Sequence, residues 1–318
     1  MKIHYRIQNQ EIEVVRCFGT DSQVCVPAAI QDMPVTKIAA YAFSARKEKE
    51  AEDVLLYETK GGLAFVEEQR VLAGEEVEEV RLPDTLREIG NYIFYGCKNL
   101  RTLEFSDSLT QIGSGAFTGC GGLSKLHVRM LAGEKSCVKE ILGDLWQRID
   151  VVFSYIDGRK IQLVFPEHYE EAVENTPARI LFTQHHGSGN NYRQCFYDKE
   201  VDCRKYDELF SVAKAQDKIP VLTDLVFSRL CYPAELTESA RQSYEQFVRD
   251  RQEEILMYLV EAEKIEELRE MSGRRLWTKE GLERGIESAA GGQKAEIMSF
   301  LMQERHKAFP AKRKKFML

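Results

Sequence analysis

Residues 82–104, LPDTLREIGNYIFYGCKNLRTLE, and residues 105–127, FSDSLTQIGSGAFTGCGGLSKLH, are two renderings of one 23-residue pattern. Leu86 matches Leu109, Ile89 matches Ile112, Gly90 matches Gly113, Phe94 matches Phe117, Cys97 matches Cys120, Leu100 matches Leu123 and Leu103 matches Leu126. A repeat this regular excludes most globular folds, because so small a unit cannot bury its own apolar side. It must stack on a copy of itself, which produces a solenoid. A solenoid displays a long regular surface. The chain is therefore expected to hold a partner rather than convert a substrate.

Strand alternation turns the period into named faces. Successive side chains of a strand point to opposite sides. Leu103, Phe105, Leu126 and Val128 are expected inside. Arg81, Glu104 and His127 then form one outward column, and Glu79, Thr102 and Lys125 a parallel one. These six residues are the candidate partner-binding set; an ordinary solvated sheet face is the alternative. Cys97 and Cys120 lie one period apart and should stack on adjacent coils as small buried thiols.

The spacing Val/Leu-Pro-x-x-Leu-x-x-Ile-Gly-x-x-x-Phe-x-x-Cys-x-x-Leu-x-x-Leu resembles the BspA-like leucine-rich repeat. Residues 82–103 and 105–126 fit it closely. Residues 26–43 fit in part, with Ile38, Tyr41 and Phe43 standing where Ile89, Tyr92 and Phe94 stand later. The resemblance implies a curved coil with one strand per repeat and a short helical or irregular return. Many members of the family are bacterial surface proteins. This chain opens MKIHYRIQNQ, without a basic stretch followed by an apolar run, and has no run of the ~18 apolar residues a membrane span needs. Its eight cysteines are scattered, with no CxxC pair. Together these features lead to the expectation of a cytoplasmic protein in a reducing compartment.

The fold class expected is an α+β repeat protein in four parts. Residues 1–149 form the leucine-rich-repeat solenoid, with an N-terminal hairpin cap and a C-terminal capping helix. In that helix Ser136 is the expected N-cap and Val138, Ile141, Leu142, Leu145, Trp146 and Ile149 share one face. Residues 150–200 form a small β-rich connector. It holds one hairpin at Asp157-Gly158 and a second over residues 180–197 with a glycine-rich tip. The acidic run after Pro166 fits a helix start. A further hairpin is expected with strands at 54–57 and 63–66. Residues 201–308 form a C-terminal α-helical hairpin stack, and 309–318 a basic, solvated tail.

Three helical segments share a phrase in which Lys218, Lys264 and Lys294 align, at spacings of 46 and 30 residues. The last of them resembles an ankyrin helix pair, although the Thr-Pro-Leu-His signature is absent. A generic stack of helical hairpins is the alternative.

Catalytic signals are weak. No nucleophile elbow, kinase signature or phosphate loop is present. His185 and His186 precede Gly187-Ser188-Gly189, but neighbouring residues of a strand face opposite sides and do not chelate one metal. His185, His186, Asn190, Asn191 and Tyr192 are therefore read as a possible recognition loop, with an enzyme or ligand site there as a lesser alternative. No catalytic residue, metal or cofactor is expected. The net charge of −7 argues against nucleic acid as a partner. The function expected is a non-catalytic protein–protein interaction scaffold or adaptor, with a cell-surface adhesin-type repeat protein as the runner-up. The partner is an unknown protein, no membrane association is expected, and the oligomeric state is left open.

Overall fold

The 23-residue step becomes one coil of a solenoid. The computed structural model describes residues 1–46, 53–58, 70–175 and 180–310. The chain divides into two compact units, residues 1–206 and 207–318.

In the first unit the hairpin β1 (Lys2–Gln8) and β2 (Glu11–Gly19) turns at Asn9-Gln10. Their φ values of 53° and 63° are those of a type I′ turn, whose twist suits paired strands. There follow β3 (Gln23–Cys25), β4 (Ala29–Ile30), β5 (Met33–Ile38), β6 (Leu55–Glu58) and β7 (Arg70–Val71). The repeats supply β8 (Glu79–Arg81), β9 (Glu88–Ile89), β10 (Thr102–Ser106), β11 (Gln111–Ile112) and β12 (Lys125–Met130). A short helix, α1 (Val138–Gly143), leads to the hairpin β13 (Ile149–Tyr155) and β14 (Lys160–Phe165). Then come β15 (Tyr169–Asn175), β16 (Ile180–His186), α2 (Gly189–Tyr192), β17 (Phe196–Tyr197), β18 (Glu200–Val201) and α3 (Cys203–Glu208).

Each coil crosses two sheets. One runs β14-β13-β12-β10-β8-β3, parallel except for β14. The other runs β11-β9-β5-β2-β1-β6, with β4 on β5 and β7 on β2. Between them lie the repeat's apolar positions. Phe43, Phe94 and Phe117 stack ring on ring at 5.4 and 5.5 Å. Leu103, Phe105, Leu126 and Val128 are buried, as alternation requires.

The turns bond to the next coil rather than to themselves, which satisfies backbone groups that burial would otherwise orphan. Tyr92 N–H donates to Ser114 O and Phe94 N–H to Ala116 O. The buried thiols of Cys97 and Cys120 each donate to a carbonyl of the preceding coil, Phe43 O and Phe94 O, at 3.1 Å. Burial pushes the Cys97 thiol up to about 12. The repeated glycine has a steric cause: a Cβ on Gly113 would lie 2.3 Å from the backbone nitrogen of Asn91.

Past the repeats the structure departs from expectation. The capping helix is short, lacks a side-chain cap and starts after Cys137 rather than Ser136. Trp146 is exposed, and Ile149 opens a strand. The reason is tertiary: Ile149, Val151 and Phe153 alternate inward and extend the sheet, so the sheet outcompetes the helix for them. The hairpin assigned to the connector thus forms the last two strands of the solenoid sheet. The acidic run after Pro166 is strand β15, because β16 pairs with it along its length. The second hairpin consequently joins 169–175 to 180–186, and the glycines lie after it. The expected pairing of 54–57 with 63–66 lies outside the described residues for its second strand.

The second unit carries α4 (Phe210–Gln216), α5 (Ile219–Cys231), α6 (Glu238–Asp250), α7 (Gln252–Glu261), α8 (Ile265–Gly273), α9 (Lys279–Gly291) and α10 (Ala295–Ala308). Lys218, Lys264 and Lys294 each stand immediately before the second helix of a pair. The α7–α8 and α9–α10 turns are near copies. Glu263 and Gln293 have φ of 55° and 56°, and Lys264 and Lys294 donate to Leu259 O and Ala289 O at 2.9 Å. The Lys218 junction lacks this turn, Asp217 being extended. At the unit's base Arg229, fully buried, forks onto Asp207 at 2.7 and 3.1 Å, and Tyr244 donates to the same carboxylate.

Candidate interaction surface

The parallel register places the predicted columns side by side. Thr102 lies opposite Glu79 on one side and Lys125 on the other; Glu104 lies likewise between Arg81 and His127. β3 extends the columns with Gln23 and Cys25, and β13 with Asp150 and Val152. Glu79, Arg81, Lys125 and His127 are exposed, while Thr102 and Glu104 are half-buried.

The charges on this face are partly committed to one another. Arg81 Nε donates to Glu104 at 2.6 Å, and this bond holds the Arg81 guanidinium above its ordinary pKa. Arg129 reaches the other Glu104 oxygen, donates to Asp84 at 2.7 Å, and caps Leu82 O at 2.8 Å. Lateral pairs of this kind fix long side chains in place; being exposed, each adds little to stability. Among the described residues, Glu79, Lys125 and His127 take part in no ion pair. They are the groups of the set left for a partner. A depression of about 230 Å³ opens on the Glu79 side of this face, lined by Asp21, Gln23, Cys25, Glu79, Arg81 and Glu104 among others; Lys125 and His127 lie outside its lining.

Arg129 belongs to this face, and sequence reasoning passed over it. The signal was present: alternation along residues 125, 127 and 129 places all three on one side. Asp150, held by a two-pronged bond from Arg148 at 2.8 and 3.0 Å, was likewise missed.

The His185–Tyr192 segment divides in two. His185 faces Glu170 at 3.3 Å. His186 lies on the opposite face, stacked on Tyr169 at 4.5 Å and 3.2 Å from Glu171. The two imidazoles do not converge, as alternation requires. Asn190 and Asn191 are exposed, but Tyr192 is fully buried against Tyr206, so it is a core residue and not part of a recognition loop.

The glycines here serve packing. Gly187 has φ of 75°, and a Cβ on Gly189 would lie 2.1 Å from Pro166 O. They let α2 close over Arg193, which donates to the carbonyls of Leu142, Leu145, Gln147, Pro166 and Gly189. Among the described residues no group of three His, Cys, Asp or Glu is placed to hold a metal ion, and no helix is long and apolar enough to cross a membrane.

Residues 68–136 match the family described as "BspA type Leucine rich repeat region (6 copies)". No curated protein matches the chain. Among solved structures, a leucine rich cell surface protein from Faecalibacterium prausnitzii A2-165 is 19% identical over 41% of this chain and 31% of its own, with a TM-score of 0.28. A leucine-rich repeat protein from Bacteroides ovatus ATCC 8483 is 18% identical over 48% of this chain and 36% of its own, at 0.28. A T. pallidum leucine rich repeat protein is 18% identical over 42% and 75%, at 0.22. The chain thus spans about a third of the first two proteins. At such scores these likenesses add nothing to what the repeat itself establishes.

Proposed function

Given a first unit built on BspA type leucine-rich repeats, we propose that the chain is a protein-interaction scaffold that meets its partner on the outward face of the six-stranded sheet and has no catalysis of its own. The observation that carries this reading is the pair of in-register columns on that face. Their central charges are tied laterally, while Glu79, at the rim of a depression, and Lys125 and His127, on the neighbouring strand β12, stay out of ion pairs. A face ordered before binding loses little freedom on association, which favours recognition by shape and charge.

The test is capture of partners from a lysate by the full chain and by a Glu79→Lys/Lys125→Glu variant. The exchange keeps net charge and spares the Arg81–Glu104–Arg129 network. Loss of specific partners with an unchanged circular-dichroism spectrum is expected; an unchanged partner set places binding elsewhere.

The cytoplasm is the proposed compartment. The eight cysteines are scattered without a CxxC pair, and six of them are buried in the core, which supports a reducing environment. Recovery of the protein in a surface or secreted fraction would favour the adhesin reading instead.

A further inference from the structure

The outward face of the six-stranded sheet carries its charges in an order. At the centre they cancel. Arg81 and Arg129 both donate to Glu104, and Arg129 also donates to Asp84, so two cations meet two carboxylates. On β13, Asp150 is closed by Arg148. The charges left over are separated by strand. Asp21, two residues before β3, and Glu79 on β8 are exposed carboxylates, while Lys125 on β12 is an exposed ammonium. Among the described residues these three take part in no ion pair. The sheet runs β12-β10-β8-β3, so from β3 to β12 the face reads negative, neutral, positive.

The negative end is hollow. Asp21 and Glu79 line the depression there together with Cys25 and Thr102, whose short side chains leave space between longer neighbours. Arg81 also lines it, but its guanidinium is tied to Glu104. Asp21 is held at the rim by accepting from Gln23 N–H at 2.9 Å. A lysine or arginine side chain entering the hollow meets two carboxylates without cations of their own. The positive end sets a length. β8 and β12 flank β10, so Glu79 and Lys125 stand two strand spacings apart, about 10 Å. Same-side residues of a strand step by about 6.7 or 13 Å and miss that distance. Residues seven apart on a helix lie about 10.5 Å apart and differ by only about 20° in direction.

We infer that the partner presents a helix laid across the strands, with a lysine or arginine in the depression between Asp21 and Glu79 and an aspartate or glutamate seven residues away over Lys125. The inference rests on the outward face being the docking surface and adds the chemistry of what docks there. A uniformly basic helix would gain at Asp21 and Glu79 and lose at Lys125, and a uniformly acidic one would do the reverse. The order of charges on the partner, not its net charge, is therefore what this face selects.

The test uses the full chain and helical peptides of one alanine-rich sequence. Three of them carry, at positions seven apart, a lysine and a glutamate, two lysines, or two glutamates. A fourth carries the lysine and glutamate four apart. Each is titrated to about 1 mM at low salt, with amide NMR shifts as the readout. The mixed peptide with the seven-residue spacing should shift amides of β3, β8 and β12 and bind at least about fivefold more tightly than the other three. Lys125→Glu should turn the preference to the two-lysine peptide and Glu79→Lys to the two-glutamate peptide. Both side chains are exposed, so circular dichroism should not change. Equal binding by all four peptides, a preference that the variants leave unmoved, shifts away from these strands, or no binding at all overturns the inference. If lysate partners still depend on Glu79 and Lys125 in that event, the face remains the docking surface and only the helix with ordered charges falls. Lysate partners indifferent to both residues remove the face itself.

Discussion

Arg193 is a buried cation answered by backbone alone. Burial lowers its pKa to about 10, so it stays charged at neutral pH, and five carbonyls take its protons. It ties the end of α1, the end of β14 and α2 together. Arg193→Met should destabilise the first unit by about 3 kcal/mol or more in urea denaturation, because several buried carbonyls lose their donor at once. Arg193→Lys should recover only part of this, since one ammonium cannot span the fan. Equal stability of Arg193→Lys and wild type would show that a single contact carries the effect.

Beside Arg193, His168 adds a pH dependence. Burial, then the Arg193 charge and His185, lower its pKa in the fold, while Glu170 opposes them. Its folded pKa therefore lies below the ordinary imidazole value of about 6.5 that holds when unfolded. As pH falls through that value the unfolded chain takes up the proton first, so stability declines below about pH 6.5 and is flat above it. His168→Gln should flatten that decline in melting temperature. The same slope in both proteins would assign the decline to other groups.

Among elements, α9 shows how much one cap can carry. Thr278 accepts from Gly281 N–H at 3.0 Å and donates to Gln252 Oε1, which also accepts from Thr278 N–H. Thr237, the cap of α6, accepts from Ala240 N–H and has no such tie to a buried glutamine. Thr237→Ala should cost about 1 kcal/mol in thermal or urea unfolding, and Thr278→Ala about 2 kcal/mol. Equal losses would mean that Gln252 holds the loop unaided.

The elements also show what was legible in the sequence. The coils, both outward columns, the N-terminal hairpin and the Asp157-Gly158 turn follow from period and turn chemistry, which are local. What escaped was decided at a distance. Pro166 and the glutamates after it satisfy every local rule for a helix start, yet β16 makes the segment a strand. Tyr192 in a Gly-Ser-Gly-Asn-Asn context looks exposed until α3 brings Tyr206 against it. Arg193 is bound by carbonyls, which have no signature in a sequence.

At the scale of the whole molecule, the outward sheet face is polar with its central charges self-paired, so a partner docking there, as proposed, would meet geometry more than net charge. Binding there should form through uncommitted groups on rigid strands, chiefly Glu79, Lys125 and His127. Such contacts act through water and ions, and the screening length falls from about 10 Å at 0.1 M salt to about 3 Å at 1 M. Capture by the full chain should therefore weaken by about tenfold or more over that range, mostly through slower association. The Glu79→Lys/Lys125→Glu variant, which lacks the matched charges, should show little further salt dependence in any capture that remains. The solenoid core is apolar, so circular dichroism should not change across the same range. Capture that is equally strong at 1 M salt would point to an apolar contact, and the exposed hydrophobic residues Trp146 and Ile156, outside these columns, would become the better place to look.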